Sequence, residues 1–156
     1  MTAGHVVSVE TLMLRVDTDN RWSYRHASTR PRPGETPDEA ARRLAGVREA
    51  DPDVVLHSTS WRYEPDGRIV LTYAVCPDPS PWLPAVEAPD LVIARGAAPA
   101  TPAPEHVAVA NVVAHAVRHL AFLVAEDPVV ARVLSRHPRL GPALSDHPAA
   151  LAPARP

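Results

Sequence analysis

The period of apolar and polar positions changes several times along the chain, and each change predicts an element. His5 to Val16, HVVSVETLMLRV, is rich in apolar and β-branched residues. The cluster Asp17-Thr18-Asp19-Asn20 turns it back, and Arg21-Trp22-Ser23-Tyr24-Arg25 returns as a second extended run, so a hairpin is predicted. From Glu35 or Thr36 to Val47 the pattern becomes helical. Thr36 stands where a cap belongs, Pro37 suits the first helical position, and Asp38 and Glu39 favour the positive end of the helix dipole. Ala40, Leu44 and Val47 recur on one face, which is expected to pack on a sheet. Two more strand-like runs, Val54 to Glu64 and Arg68 to Cys76, flank Pro65-Asp66-Gly67, whose dihedral preferences suit a tight turn.

The second half has a different texture. Pro77 to Pro104 holds eight prolines and reads as a connector, with Asp90 to Arg95 (DLVIAR) as one more short strand. Glu105 to Glu126 carries apolar residues at helical spacing, at Val109, Val113, Ala116, Val117, Leu120, Leu123 and Val124. Asp127-Pro128 starts a further helix, VVARVLSRH, that Pro138 ends, which makes an α-helical hairpin. Residues 145–156 are alanine- and proline-rich and read as a frayed tail. The expected organisation is one α/β domain over 1–126 with the connector 77–104 inside it, a C-terminal helix over 127–144, and the tail.

Composition adds exclusions. A chain of 156 residues suits one domain, and a net charge of −2 gives no field that would draw nucleic acid or anionic lipid. All sixteen basic residues are arginine, a bias expected of a GC-rich bacterial genome and without functional content. Cys76 is the only cysteine, so no intramolecular disulfide forms and a cytoplasmic location is the expectation. Glu10 interrupts the apolar run of an N-terminus that has no basic stretch before it, unlike a secretory leader. Val107 to Val124 carries Asn111, His115, Arg118 and His119, which are costly in lipid, so no membrane span is expected.

The order of hairpin, RPGETPDEAARRLAG loop and helix (Arg32–Gly46), second hairpin and terminal helix resembles the Nudix hydrolase family. The resemblance covers roughly residues 5–125 and is close from Pro33 to Arg43. It implies an α/β/α sandwich on a mixed sheet. That family's signature runs glycine, five residues, glutamate, seven residues, Arg-Glu and then a Glu-Glu pair, which hold magnesium or manganese and activate water against a phosphoanhydride. Glu35 and Arg43 fit the first glutamate and the arginine. Thr29 stands at the opening glycine, Leu44 at the glutamate after the arginine, Val47 and Arg48 at the Glu-Glu pair, and Ala50 at the closing glycine. Leucine and valine offer no oxygen ligand, and a guanidinium repels a divalent ion. Glu39, four residues before Arg43, is expected to pair with it on the helix surface. Glu49, on a helix continued past Val47, would point away from the family's metal.

The expected function is therefore a Nudix-like binding or protein-interaction module without the family's hydrolysis, its C-terminal helices serving a partner or homodimer. A divergent magnesium- or manganese-dependent hydrolase of nucleoside-diphosphate-linked compounds, using Glu35, Glu39 and Glu49, is the first alternative. Arg32 and Arg43 with Trp61, Tyr63 and Tyr73 are the candidate residues for a nucleotide-like ligand. Trp61 and Tyr63 share a strand face, Tyr73 is expected across the hairpin, and Arg21, Arg25 and Arg30 could extend a basic rim. The second alternative is a transition-metal site at His115 and His119, four apart on one helical face, with His106 or Glu105 as further ligands. The plainer reading of the same two histidines, with Asn111, is the polar stripe of a core helix. Cys76 is expected to be a buried small hydrophobe.

Overall fold

The structure, a computed structural model, describes residues 6–88 and 109–145. It is an α/β arrangement on a five-stranded mixed sheet. The strands are β1 (Val7–Val16), β2 (Trp22–Thr29), β3 (Val55–Tyr63), β4 (Ile69–Cys76) and β5 (Val86–Glu87), in the spatial order β3-β4-β1-β2-β5. β1 and β4 are parallel and every other neighbouring pair is antiparallel.

Both predicted hairpins form, for the predicted reasons. Asp17 accepts hydrogen bonds from the backbone N–H groups of Asp19 (2.9 Å) and Arg21 (3.0 Å), and Asn20 takes the left-handed conformation (φ 64°) that asparagine tolerates. In the second turn Gly67 sits at φ 90°, where a side chain would be strained, and Glu64 N–H donates to the Arg68 carbonyl at 2.8 Å. The two-residue β5 was not foreseen. The expected strand at 90–95 and the tail from 146 onward lie outside the described residues.

α1 (Pro37–Ala45) crosses one face of the sheet, with Ala40, Ala41 and Leu44 on Val9, Leu71 and Tyr73, and Ala45 on Met13 and Val75. Thr36 and Glu39 close a capping box: Glu39 N–H donates to Thr36 Oγ1, and Thr36 N–H donates to Glu39 at 2.8 Å. The helix stops two residues before its expected end. Gly46 turns left-handed (φ 70°) and returns its N–H to the Arg42 carbonyl, so Val47, Arg48 and Glu49 lie beyond the helix.

α2 (Val109–Glu126), α3 (Pro128–Ser135) and α4 (Leu140–Ser145) cover the other face. The expected helix start at 105–108 lies outside the described residues, and the helix expected over 127–144 is two, α3 and α4, separated by the turn at 136–139. α2 is long and apolar enough to cross a membrane by length and composition, with a mean hydropathy of 1.2. Its apolar face packs instead on Leu12, Leu14, Ala74 and Cys76, through Val113, Ala116, Val117 and Leu120 among others. Asp127 caps α3 by accepting from Val129 N–H at 2.9 Å, with Pro128 in the first turn.

β3 carries a β-bulge between Ser58 and Ser60. Before it, His57 pairs with Ala74; after it, Arg62 pairs with Val70. Thr59 is the extra residue, buried, with its hydroxyl 3.4 Å from the Thr72 carbonyl. One inserted residue reverses the alternation, so odd-numbered His57 and even-numbered Arg62 face the α2 side while Trp61 and Tyr63 face the α1 side. Leu120 is fully buried at the centre of the α2 layer. Leu120→Ala should lower unfolding stability by about 2–5 kcal/mol in a urea titration.

Candidate functional site

The loop joining β2 to α1 is held by one carboxylate. Glu35 accepts from Arg43 Nε (2.9 Å) and Nη2 (2.8 Å), and from the backbone N–H of Arg32 (3.0 Å). These bonds, the Arg43 pair first, bring its carboxyl from 4.5 down to about 2. Gly34, at φ 78°, supplies the left-handed turn in this loop. The partner of Arg43 is therefore Glu35 and not Glu39, which is spent on the helix cap. Glu49 is exposed in the following turn. Leu44 and Val47, at two of the resemblance's metal-holding positions, pack into the apolar clusters beneath α1.

The aromatic residues divide. Tyr73 is buried, pairs with Ser58 rather than lying opposite Trp61, and donates its hydroxyl to Asp38 in the first turn of α1. Burial first, and then Asp38, raises its pKa. Trp61 and Tyr63 pair instead with Leu71 and Ile69 and remain 68% and 59% exposed, a ledge on the outermost strand on the side of the sheet that carries α1. Arg32 is exposed. Of the expected basic rim, Arg25 is diverted into a bidentate pair with buried Asp78 (2.9 and 2.7 Å), and Arg21 reaches Glu87 at 3.3 Å.

On the opposite face lies a group that the sequence pattern concealed. Glu10, 3% exposed, accepts from Thr72 Oγ1 (2.6 Å), His26 Nε2 (3.0 Å) and the Arg62 guanidinium. Burial raises its pKa, but the bonds from His26, Arg62 and Thr72 outweigh it and bring the value to about 2. Its Nε2 bonded to an ionised carboxylate, His26 carries its proton there when neutral. Only the register of four strands reveals this set: Glu10 opposite Thr72, His26 on β2 beside β1, and Arg62 phased inward by the bulge.

The histidines also converge across elements. His57 on β3 has its ring centroid 5.4 Å from that of His119 on α2, and the Phe122 ring lies 6.3 Å from His119. Burial, then the neighbouring His57 and His115, lower the pKa of His119. His106 and Glu105 lie outside the described residues. Among the described residues no three His, Cys, Asp or Glu side chains are already arranged to hold a metal ion. Cys76 is buried, which pushes its thiol up to about 12 and leaves it a packing residue.

Comparison of the chain with protein-family models, with curated proteins and with solved structures finds no match.

Glu10 supplies a pH test. Its folded pKa lies below its ordinary value of 4.5, so its stabilisation is fully present above that pH and is lost as pH falls towards about 2. Glu10→Gln should cost about 1–3 kcal/mol at pH 7, by removing the charge on which Arg62, His26 and Thr72 converge and leaving Arg62 only its pair with Glu64 at 2.7 Å, and should flatten the acid limb. Denaturant titrations of both proteins between pH 7 and pH 2.5 check this.

Proposed function

We propose that the chain is a Nudix-like domain that binds a ligand instead of hydrolysing one. The observation that carries this is the fate of the box. Its preserved pair, Glu35 and Arg43, is closed on itself, while Leu44 and Val47 are packed into apolar clusters at positions where the family has metal ligands. The end of α1 at Gly46 supports the same reading, because residues 47–49 leave the helical track on which the family's Glu-Glu pair is carried. Without those carboxylates, both the activation of water and the neutralisation of the leaving phosphate are lost.

The ligand surface in this reading is the ledge of Trp61 and Tyr63, with exposed Arg32 as a candidate phosphate contact. Flat exposed rings on a rigid strand suit stacking against a nucleobase. Magnesium or manganese has no role in such binding beyond what the ligand itself carries.

Nucleoside diphosphates titrated into the protein should give a saturable change in tryptophan fluorescence that Trp61→Ala removes. Phosphate release with magnesium or manganese should stay at background in wild type and in Glu35→Gln alike. Turnover that disappears in Glu35→Gln would make this a divergent hydrolase. Absence of any saturable signal would remove the nucleotide and turn the reading to a protein partner or homodimer at the C-terminal helices.

A further inference from the structure

His57, His115 and His119 form a group on the α2 side of the sheet, away from the Trp61 ledge and independent of the box. The bulge in β3 determines which side His57 faces, and the i, i+4 spacing puts His115 and His119 on one face of α2.

The hydrogen bonding of the group leaves lone pairs unused. His57 Nδ1 lies 2.8 Å from the Ser58 carbonyl, so it carries the proton and Nε2 presents a free lone pair. A backbone carbonyl on the far nitrogen is the usual means of fixing the tautomer of a ligating imidazole. His119 Nε2 is buried and has no hydrogen-bond partner among the described residues. A buried polar atom in that condition calls for an explanation, and an ion is one. Metal–nitrogen bonds of about 2.1 Å at a tetrahedral angle put two imidazole centroids about 5 Å apart. The observed 5.4 Å, with planes at 45°, matches that separation.

We propose that His57 and His119 are the preformed half of a zinc(II) site, which His115 completes. The described residues hold no three such side chains already placed around one point. Rotation of the half-buried His115 side chain, one turn before His119, brings in the third nitrogen, and water fills the fourth position. The ligand set selects the ion: three neutral imidazoles without a carboxylate suit zinc or nickel over magnesium or calcium.

The test is a cobalt(II) titration of protein without a histidine tag, followed by visible absorption and then by zinc competition. One equivalent should bind with the intense bands of a four-coordinate ion, and zinc should displace it. His57→Asn, His119→Asn and His115→Asn, each checked for native circular dichroism, should weaken binding by about 10-fold or more. His137→Asn, whose ring contacts the Asp53 carbonyl on another part of the surface, should leave it unchanged. No saturable uptake by wild type would overturn the site and leave an ordered water as the partner of His119 Nε2. Undiminished uptake by folded His57→Asn and His119→Asn would overturn it equally, by assigning the ion to other histidines. An unchanged spectrum and affinity in His115→Asn would remove the third ligand.

Discussion

β1 and β4 lie side by side and run the same way, and a parallel pair cannot be closed by a turn. The chain between them has to leave the sheet and return, and it does so through β2, a short loop, α1 and β3. That route places α1 on one face, β2 and β3 on opposite flanks, and leaves the second face free for α2, α3 and α4. The Glu35–Arg43 clamp belongs to this constraint. It ties the loop that leaves β2 to the last turn of α1, so the crossover returns at a fixed angle.

The sheet carries its buried charge in two places, each matched by arginine. Glu10, near the start of β1, is held by Arg62, His26 and Thr72 on the α2 side. Asp78, just past β4, is held by Arg25 and by the Ser80 N–H, while its own N–H reaches the Leu14 carbonyl at 2.7 Å. A buried carboxylate without such partners would cost more than the apolar residue it displaces. Glu10 stays charged because β2, β3 and β4 each contribute a donor, and Asp78 because Arg25 on β2 and the Ser80 N–H converge on it, so each reports that its contributing segments are in place.

The local grammar of the chain was legible. Asp17 to Asn20, Thr36-Pro37, Pro65 to Gly67 and Asp127-Pro128 each predicted its turn or cap, because those residues act on their own neighbours. Apolar spacing likewise foretold which face of α1 meets the sheet. The polar groups were not legible, for their partners are distant in sequence. Glu10 read as an interruption of an apolar run, and its partners His26, Arg62 and Thr72 lie 16, 52 and 62 residues away. Arg43 was assigned the carboxylate at the favourable helical spacing, whereas the loop brought a different one to it. The end of α1 was missed because Gly46, read as an interior residue, is the left-handed cap.

The bulge at Thr59 has a consequence for company as well as for register. β3 is an outermost strand, and an unbroken row of free N–H and C=O groups along such a strand invites another chain to extend the sheet. Here the nine residues of β3 are divided into two short runs whose outward groups are out of step. A stranger's strand could match one run only by losing the other, so Trp61 and Tyr63 face solvent beside an edge whose row of pairing groups is interrupted.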